Sequence, residues 1–338
     1  MPLRKVVRLV LAGLAGSWAV NAAAAPAAPR IVLAVDGVEE TRNLPVLLAE
    51  RLGYFRDEGL TVTLVDAPAS PSPADLMADG RADGAVAFYH HTFMSQADDR
   101  VVTQDVVTLG VTPALKLMVA QRLHDEVKTL ADLKGRKVFT GGPNSGKTTA
   151  TNAVMLQAGL AIDAYTPLKP TNAKAMAAAL ASGEADAIMA HEPDASFYAS
   201  TGAAFMLADL SSPAGVRAAL GEVFPSTSLY MPKTFVDGRP AEVQGLVRAL
   251  LRANAYIQGH DAQTIAQVLP PHALGKDRAA FLRTLASDKR MFETDGRTPE
   301  AGARLEWRTM SALNPKYGRI DFAQTFTNRF VGAGAPRP

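Results

Sequence analysis

Three short apolar runs, residues 31–35, 61–65 and 84–88, are separated by segments with helical spacing, and this alternation constrains the chain more than any other feature. Between the first two runs, Leu44, Leu47, Leu48 and Leu52 recur at steps of three and four, which places them on one buried helical face. A Pro/Ser/Ala loop and a short helix near residues 74–78 precede the third run. Strand, helix, strand, helix, strand implies an open parallel sheet, because parallel neighbours need a crossover to bring the chain back to the same edge.

The same grammar then starts again without visible sequence repetition. Residues 101–111 and 115–120 are β-rich and lead out of the first unit. A short helix at 129–133, a strand at 137–140, helices at 147–157 and 173–181 and a strand at 187–190 make a second α/β unit. After a strand at 228–231 the patterns are helical: 243–258, 262–269, 278–286 and 300–313. Helices gathered there make no third layer, so they are expected to pack back on the first unit. The expected divisions are a leader at 1–24, the first part of lobe 1 at 25–115, lobe 2 at 116–225, and a return to lobe 1 with C-terminal helices at 226–338.

The leader reading rests on Arg4, Lys5 and Arg8 ahead of an apolar stretch at 9–20, too short to span a bilayer, and small residues at Ala22, Ala23 and Ala24. That pattern predicts a cleaved export signal and a periplasmic location. Cysteine is absent, so neither a disulfide framework nor a lipid-accepting thiol is available. The core alone must then stabilise the fold, and 338 residues with 48% hydrophobic content are enough for two domains. Without its three leader cations the formal charge changes from +2 to −1, and no run of Lys and Arg interleaved with aromatics occurs, so nucleic acid is not an expected partner.

Residues 141–148, GGPNSGKT, satisfy the phosphate-loop pattern G-x-x-x-x-G-K-S/T, and a Walker-B-like run ends at Asp209. Read literally, the pair describes a nucleotide hydrolase. An exported protein works where there is no ATP, and four apolar residues before an Asp are common, so hydrolysis is the minor reading. The physics beneath the motif does not depend on ATP: a glycine-rich turn opening a helix presents free N–H groups and a positive dipole end to any small anion. Ser145, Thr148 and Thr149 add hydroxyls and Lys147 a charge, unless Ser145 merely caps the helix and Lys147 points to water.

Three stretches carry a family resemblance. Residues 43–62, NLPVLLAERLGYFRDEGLTV, resemble an opening in which a helix ends in G-Y/F-F and is followed by E-G-L-x-V; residues 187–194, AIMAHEPD, resemble an A-x-x-x-W-D/E-P signature with His191 in place of the aromatic; residues 243–253 resemble the helix after the return crossing. In order, they are similar to the periplasmic solute-binding proteins of ABC importers, in the nitrate/sulfonate/taurine-type group related to thiamine-pyrimidine synthases. The resemblance implies a type II-like binding-protein fold: two lobes, each an open, mainly parallel sheet flanked by helices, joined by a two-stranded hinge and closing on a ligand. It also implies that the 141–148 loop and Glu192 come near the cleft.

The candidate ligand contacts are Asn43, His90, His91, Thr92, Ser145, Gly146, Lys147, Thr148 and Glu192. His90, His91 and Thr92 follow the third strand, at the edge where open α/β sheets hold ligands, and only one imidazole is expected to face inward. Asn43 either caps the first helix or contacts ligand. Glu192 would oppose a simple anion and favour a zwitterion or a ligand with an amine or hydroxyl. Adjacent histidines rarely converge on one ion, so no metal is expected, and no cofactor. Tyr54, Phe55, Met155, Met176 and Met189 read as packing. The expected function is therefore binding without catalysis: a monomer that captures a small polar or anionic organic solute, sulfonate-, taurine- or carboxylate-like, and delivers it to an inner-membrane permease. A thiamine-precursor binder or synthase-like enzyme is the alternative, and a P-loop hydrolase a further one.

Overall fold

Strand β1 (Arg30–Val35) leads through a loop into helices α1 (Leu44–Arg51) and α2 (Tyr54–Asp57), then β2 (Thr61–Asp66), α3 (Pro73–Ala78), β3 (Gly84–Phe88), α4 (His91–Ala97) and β4 (Thr103–Thr108). After a first crossing come β5 (Leu115–Ala120), β6 (Lys137–Phe139), α5 (Gly146–Gln157), β7 (Thr166–Leu168), α6 (Ala173–Ser182), β8 (Ala187–Ala190), α7 (Asp194–Ser200), β9 (Ala204–Leu210) and α8 (Pro213–Leu220). A second crossing returns the chain to β10 (Thr227–Pro232), α9 (Lys233–Gly238), α10 (Pro240–Gly259), α11 (Ala262–Val268), α12 (Arg278–Asp288) and α13 (Glu300–Leu313). The computed structural model describes residues 28–332 except 69, 70, 144 and 293, so the expected leader lies outside the described residues.

The strands form two five-stranded sheets, ordered β2-β1-β3-β10-β4 in lobe 1 and β7-β6-β8-β5-β9 in lobe 2. The first three strands of each are parallel, as the alternating pattern requires, and the fourth is antiparallel to both neighbours. The sheets are thus mixed rather than mainly parallel. In each, the reversed strand is the one that enters straight from a crossing, β10 or β5, and nothing in its own residues encodes that direction. The crossings lie side by side, with Ser226 N–H donating to Gly110 O at 2.8 Å and Phe224 N–H to Val111 O at 3.1 Å.

Each lobe has its own core. In lobe 1, Ile31, Leu33 and Val35 pack with Leu48 of α1 and Leu246 and Leu250 of α10; in lobe 2, Leu117, Val119, Val138, Val154 and Ile188 do the same work. Each such fully buried side chain contributes about 1.5–3 kcal/mol relative to exposure. Helix α10 closes on α1, which explains why the late helices return to the first lobe. Helix α13 belongs to both: Leu305 joins the lobe 2 core, while Met310 joins Tyr89, Phe93 and Tyr317 beside lobe 1. Among the described residues no helix is long and apolar enough to cross a membrane.

Candidate functional site

The loop after β1, the end of β3, the end of β8 and the end of α12 meet between the lobes around a cavity of about 100 Å³. Its walls include Arg42 and Phe88 from lobe 1, His191 and Glu192 from lobe 2, and Asp288 from the end of α12, with Pro113 and Ala114 of the first crossing beneath. It adjoins an outer hollow of about 550 Å³ that shares Glu40, Thr41 and Glu192.

Arg42 is the residue that the sequence reading passed over. Its Nη2 donates to Asp36 O at 2.8 Å, Nη1 lies 3.2 Å from Glu40 Oε2, and the guanidinium carbon stands 5.2 Å from the centre of the Phe88 ring. Its Nε is buried and meets no acceptor among the described residues. The neighbouring Asn43 neither caps α1 nor lines the cavity: its Nδ2 donates to Asp36 O at 2.7 Å and Gly37 O at 2.8 Å, fixing the loop that carries Arg42. A cation just ahead of a helix start was the available signal, and it is a weak one.

The segment after β3 sits behind the cavity wall. His90 is buried, its Nδ1 2.9 Å from Glu306 Oε1 on α13, and its ring stacks on Phe88 at 5.5 Å. His91 turns to Tyr230, with Nδ1 3.4 Å from the phenol oxygen, and burial, His90 and Arg42 all hold its imidazole well below the usual range. Thr92 donates its hydroxyl to Tyr89 O at 2.8 Å. Of this corner, Phe88 reaches the cavity, and the three expected residues support it from behind.

The phosphate-loop-like turn divides by residue. Ser145 caps α5, its Oγ accepting from Thr148 N–H at 3.2 Å, and the Thr148 hydroxyl donates to Gly142 O at 2.9 Å, so both hydroxyls serve the turn itself. Thr148 faces a separate hollow of about 650 Å³ on the far side of the turn. Lys147 is half-buried and lines none of the hollows described here: burial lowers its pKa, and Asp194 of lobe 2 and Glu40 of lobe 1 partly offset this. Among the described residues no carboxylate comes within ion-pair distance of it. Asp209 lies on β9, three places from β6 in the sheet, and binds Ser211 N–H at 2.8 Å; the two halves of the nucleotide motif are not neighbours.

His191 and Glu192 follow β8 into the cleft. The Nδ1 of His191 stands 3.1 Å from Ala114 O, and a carbonyl can only accept, so this nitrogen carries the proton and Nε2 is the ring's acceptor. Burial first, then Lys147 and Arg42, push the imidazole down to about 4, so it is neutral at ordinary pH. Lys147 of lobe 2 and Arg42 of lobe 1 thus both lie near enough to this ring to disfavour its charge. Glu192 is ion-paired with Lys116 and its Oε2 accepts from Ser196 N–H at 3.1 Å, which lowers its pKa and compensates its charge. Asp288, in a helical region with no motif to mark it, accepts from Thr41 Oγ1 at 3.1 Å through Oδ2.

Two lobes of this topology, joined by paired crossings around a polar interlobe cavity, define a periplasmic-binding-protein fold. Solved structures agree. The chain is similar to a protein of Bordetella bronchiseptica (28% identity, TM-score 0.70, covering 89% of this chain and 95% of that one). It is also similar to the alkanesulfonate-binding protein SsuA of Xanthomonas axonopodis pv. citri bound to MOPS (22%, TM-score 0.59, 90% and 100%) and the periplasmic nitrate-binding protein NrtA of Synechocystis (12%, TM-score 0.61, 88% and 84%). The family model described as NMT1/THI5 like matches residues 40–264, and the chain belongs to that family. No curated protein matches it by sequence.

Proposed function

We propose that this chain is the extracytoplasmic solute-binding component of an ABC import system, closing its lobes on a small organic solute that carries an anionic group. The observation that carries the reading is the meeting of Arg42 from lobe 1 and His191 from lobe 2 at one polar cavity in the cleft, with Lys147 close enough to His191 to lower its pKa. Glu192 does not oppose an anion, because Lys116 already neutralises it. The fold shared with a sulfonate binder and a nitrate binder supports the same class. In this reading the chain works as a periplasmic monomer, makes and breaks no bond, and delivers a sulfonate- or carboxylate-bearing solute to an inner-membrane permease.

A thermal-shift screen across alkanesulfonates, amino-sulfonates, aromatic acids, nitrate and pyrimidines tests this, since a ligand that binds only the folded state raises its melting temperature. Sulfonates or carboxylates are expected to raise it. A shift with pyrimidines alone would transfer the chain to the thiamine-precursor reading, and no shift with any of them would remove the anion site.

A further inference from the structure

The hollow of about 650 Å³ on the far side of the 141–148 turn shares no lining residue with the interlobe cavity or with the outer hollow beside it. Its walls come from α5, from β7 with the loop before it, and from the end of α13, and Ile162, Tyr165, Leu168, Leu313 and Tyr317 make them mostly apolar. Leu313, 38% exposed, is one of three large apolar side chains left in the open among the described residues. One buried polar group in these walls is left half-used. Asn152 on α5 is 2% exposed, and the Tyr165 phenol, pushed up to about 12 by burial and so still carrying its proton, donates to Asn152 Oδ1 at 2.9 Å. The amide nitrogen is the end left over. It meets no acceptor among the described residues, and unlike Arg42 Nε it is not sealed from solvent, so this donor opens onto the hollow that Asn152 lines. The hydroxyls of Thr140 and Thr148, also in the wall, donate to Gly141 O and Gly142 O within the turn. A buried donor without an acceptor is costly, and a ligand that brings one recovers that cost.

We infer that this hollow is a second ligand site, separate from the cleft, for a small uncharged aromatic molecule whose carbonyl oxygen or ring nitrogen accepts from Asn152 Nδ2. It concerns a different cavity from the solute-binding reading above and does not rest on it. The charges around the hollow cancel: Lys316 is paired with Asp98, and the exposed Lys169 and Asp163, opposite in sign, have no ion-pair partner among the described residues. An ion therefore gains nothing there that would repay its desolvation. An apolar ring gains the walls, and its acceptor gains the one buried donor. The size agrees, since pockets of about 300–1,000 Å³ hold drug-sized molecules, and about 650 Å³ has room for one or two rings.

Saturation-transfer NMR titration with two matched pairs, acetophenone against isopropylbenzene and quinoline against naphthalene, and with benzoate as the charged comparison, tests the inference on the wild type, Asn152→Asp, Leu313→Glu and His191→Ala. The wild type is expected to bind acetophenone or quinoline at least about tenfold more tightly than benzoate. Asn152→Asp keeps the acceptor for Tyr165 and exchanges the free donor for a second acceptor, so it is expected to weaken that ligand by about tenfold or more and its hydrocarbon partner by no more than about threefold. Leu313→Glu, at an exposed position, is expected to weaken both members of the pair, and His191→Ala, which alters the interlobe cavity instead, neither. Binding lost in His191→Ala and kept in the other two variants places the probe in the cleft and overturns the assignment. So does an equal response of both members of the pair to folded Asn152→Asp, benzoate binding as tightly as acetophenone and quinoline, or no binding of either, as when water alone fills the hollow. If Asn152→Asp does not fold, Leu313→Glu decides, and unchanged binding there overturns the site.

Discussion

Gly146, the first residue of α5 in lobe 2, rests against the ring of Phe88 in lobe 1: a Cβ at this position would lie 2.9 Å from Phe88 Cζ. The glycine of the phosphate-loop pattern is therefore where the lobes touch. It permits a close approach of backbone to ring, and the same ring carries Arg42 above it and His90 behind it.

Gly146→Val is expected to hold the lobes apart and weaken solute binding by about tenfold or more, with little loss of fold stability, because the contact lies between two intact cores. Calorimetry together with small-angle scattering of the liganded variant checks this. Wild-type affinity and an unchanged radius of gyration would show that the contact does not set closure.

Lys147→Ala is expected to reduce affinity for an anionic solute by about 1–3 kcal/mol, as loss of a charge-assisted hydrogen bond does. Ser145→Ala and Thr148→Ala are expected to cost binding less, since their hydroxyls are spent within the turn. If the order is reversed, the turn rather than the lysine holds the anion.

Two buried carboxyls predict an unusual pH response. Burial raises Asp105 and Asp288 to about 7 each, whereas unfolded aspartates titrate near 3.9. The folded state thus binds more protons between about pH 4 and 7, and these groups stabilise it increasingly as pH falls through that window. His191, held near 4, acts in the opposite sense between about 4 and 6.5. Asp288→Asn isolates one contribution: its gain in unfolding free energy from pH 8 to pH 5 is expected to be smaller than the wild type's by on the order of 2–3 kcal/mol. Urea titrations at the two pH values measure it, and parallel profiles would refute the raised carboxyl.

Glu306 and His90, both buried and 2.9 Å apart, pin α13 to lobe 1. Removing one member of a buried pair is strongly destabilising, so Glu306→Ala is expected to cost about 3–5 kcal/mol in chemical denaturation. Glu306→Gln keeps an oxygen for the histidine and is expected to cost about 1 kcal/mol. Equal losses would mean that the helix is held by packing through Met310 and Leu305 rather than by this bond.

What the sequence showed and what it hid differ for physical reasons. Strands β1, β3, β5, β6, β8 and β10 were legible because their apolar runs are largely buried, and β2, at the sheet edge, because its β-branched residues alternate between exposed and half-buried; β7, three residues with Pro167 and largely exposed, carries no such run. The short helices α4, α7 and α9 are too brief to display helical periodicity, whereas α8, as long as α1, carries the spacing in Val216, Ala219 and Leu220 and was passed over. At the cleft, the family resemblance implied that the 141–148 loop and Glu192 come near it; Glu192 lines the cavity, while Lys147 does not. His90 and His91 were placed on that edge correctly, but the ring of Phe88 comes between them and the cavity, a matter of side-chain direction that spacing does not encode. Asp288 was invisible: its importance comes from α12 ending beside the crossings, a long-range fact with no local pattern.

The interleaved sheets also determine the order in which this molecule can be assembled as it is synthesised. Strand β4 pairs with β10 and with no other named strand, and β10 arrives only after all of lobe 2 has been made. Lobe 2 has every strand of its sheet by residue 210, whereas lobe 1 must wait with three paired strands and one unattached. The first half to be translated is therefore the last to be completed, and a chain ended at the second crossing has every strand of the lobe 2 sheet but an unfinished lobe 1 sheet.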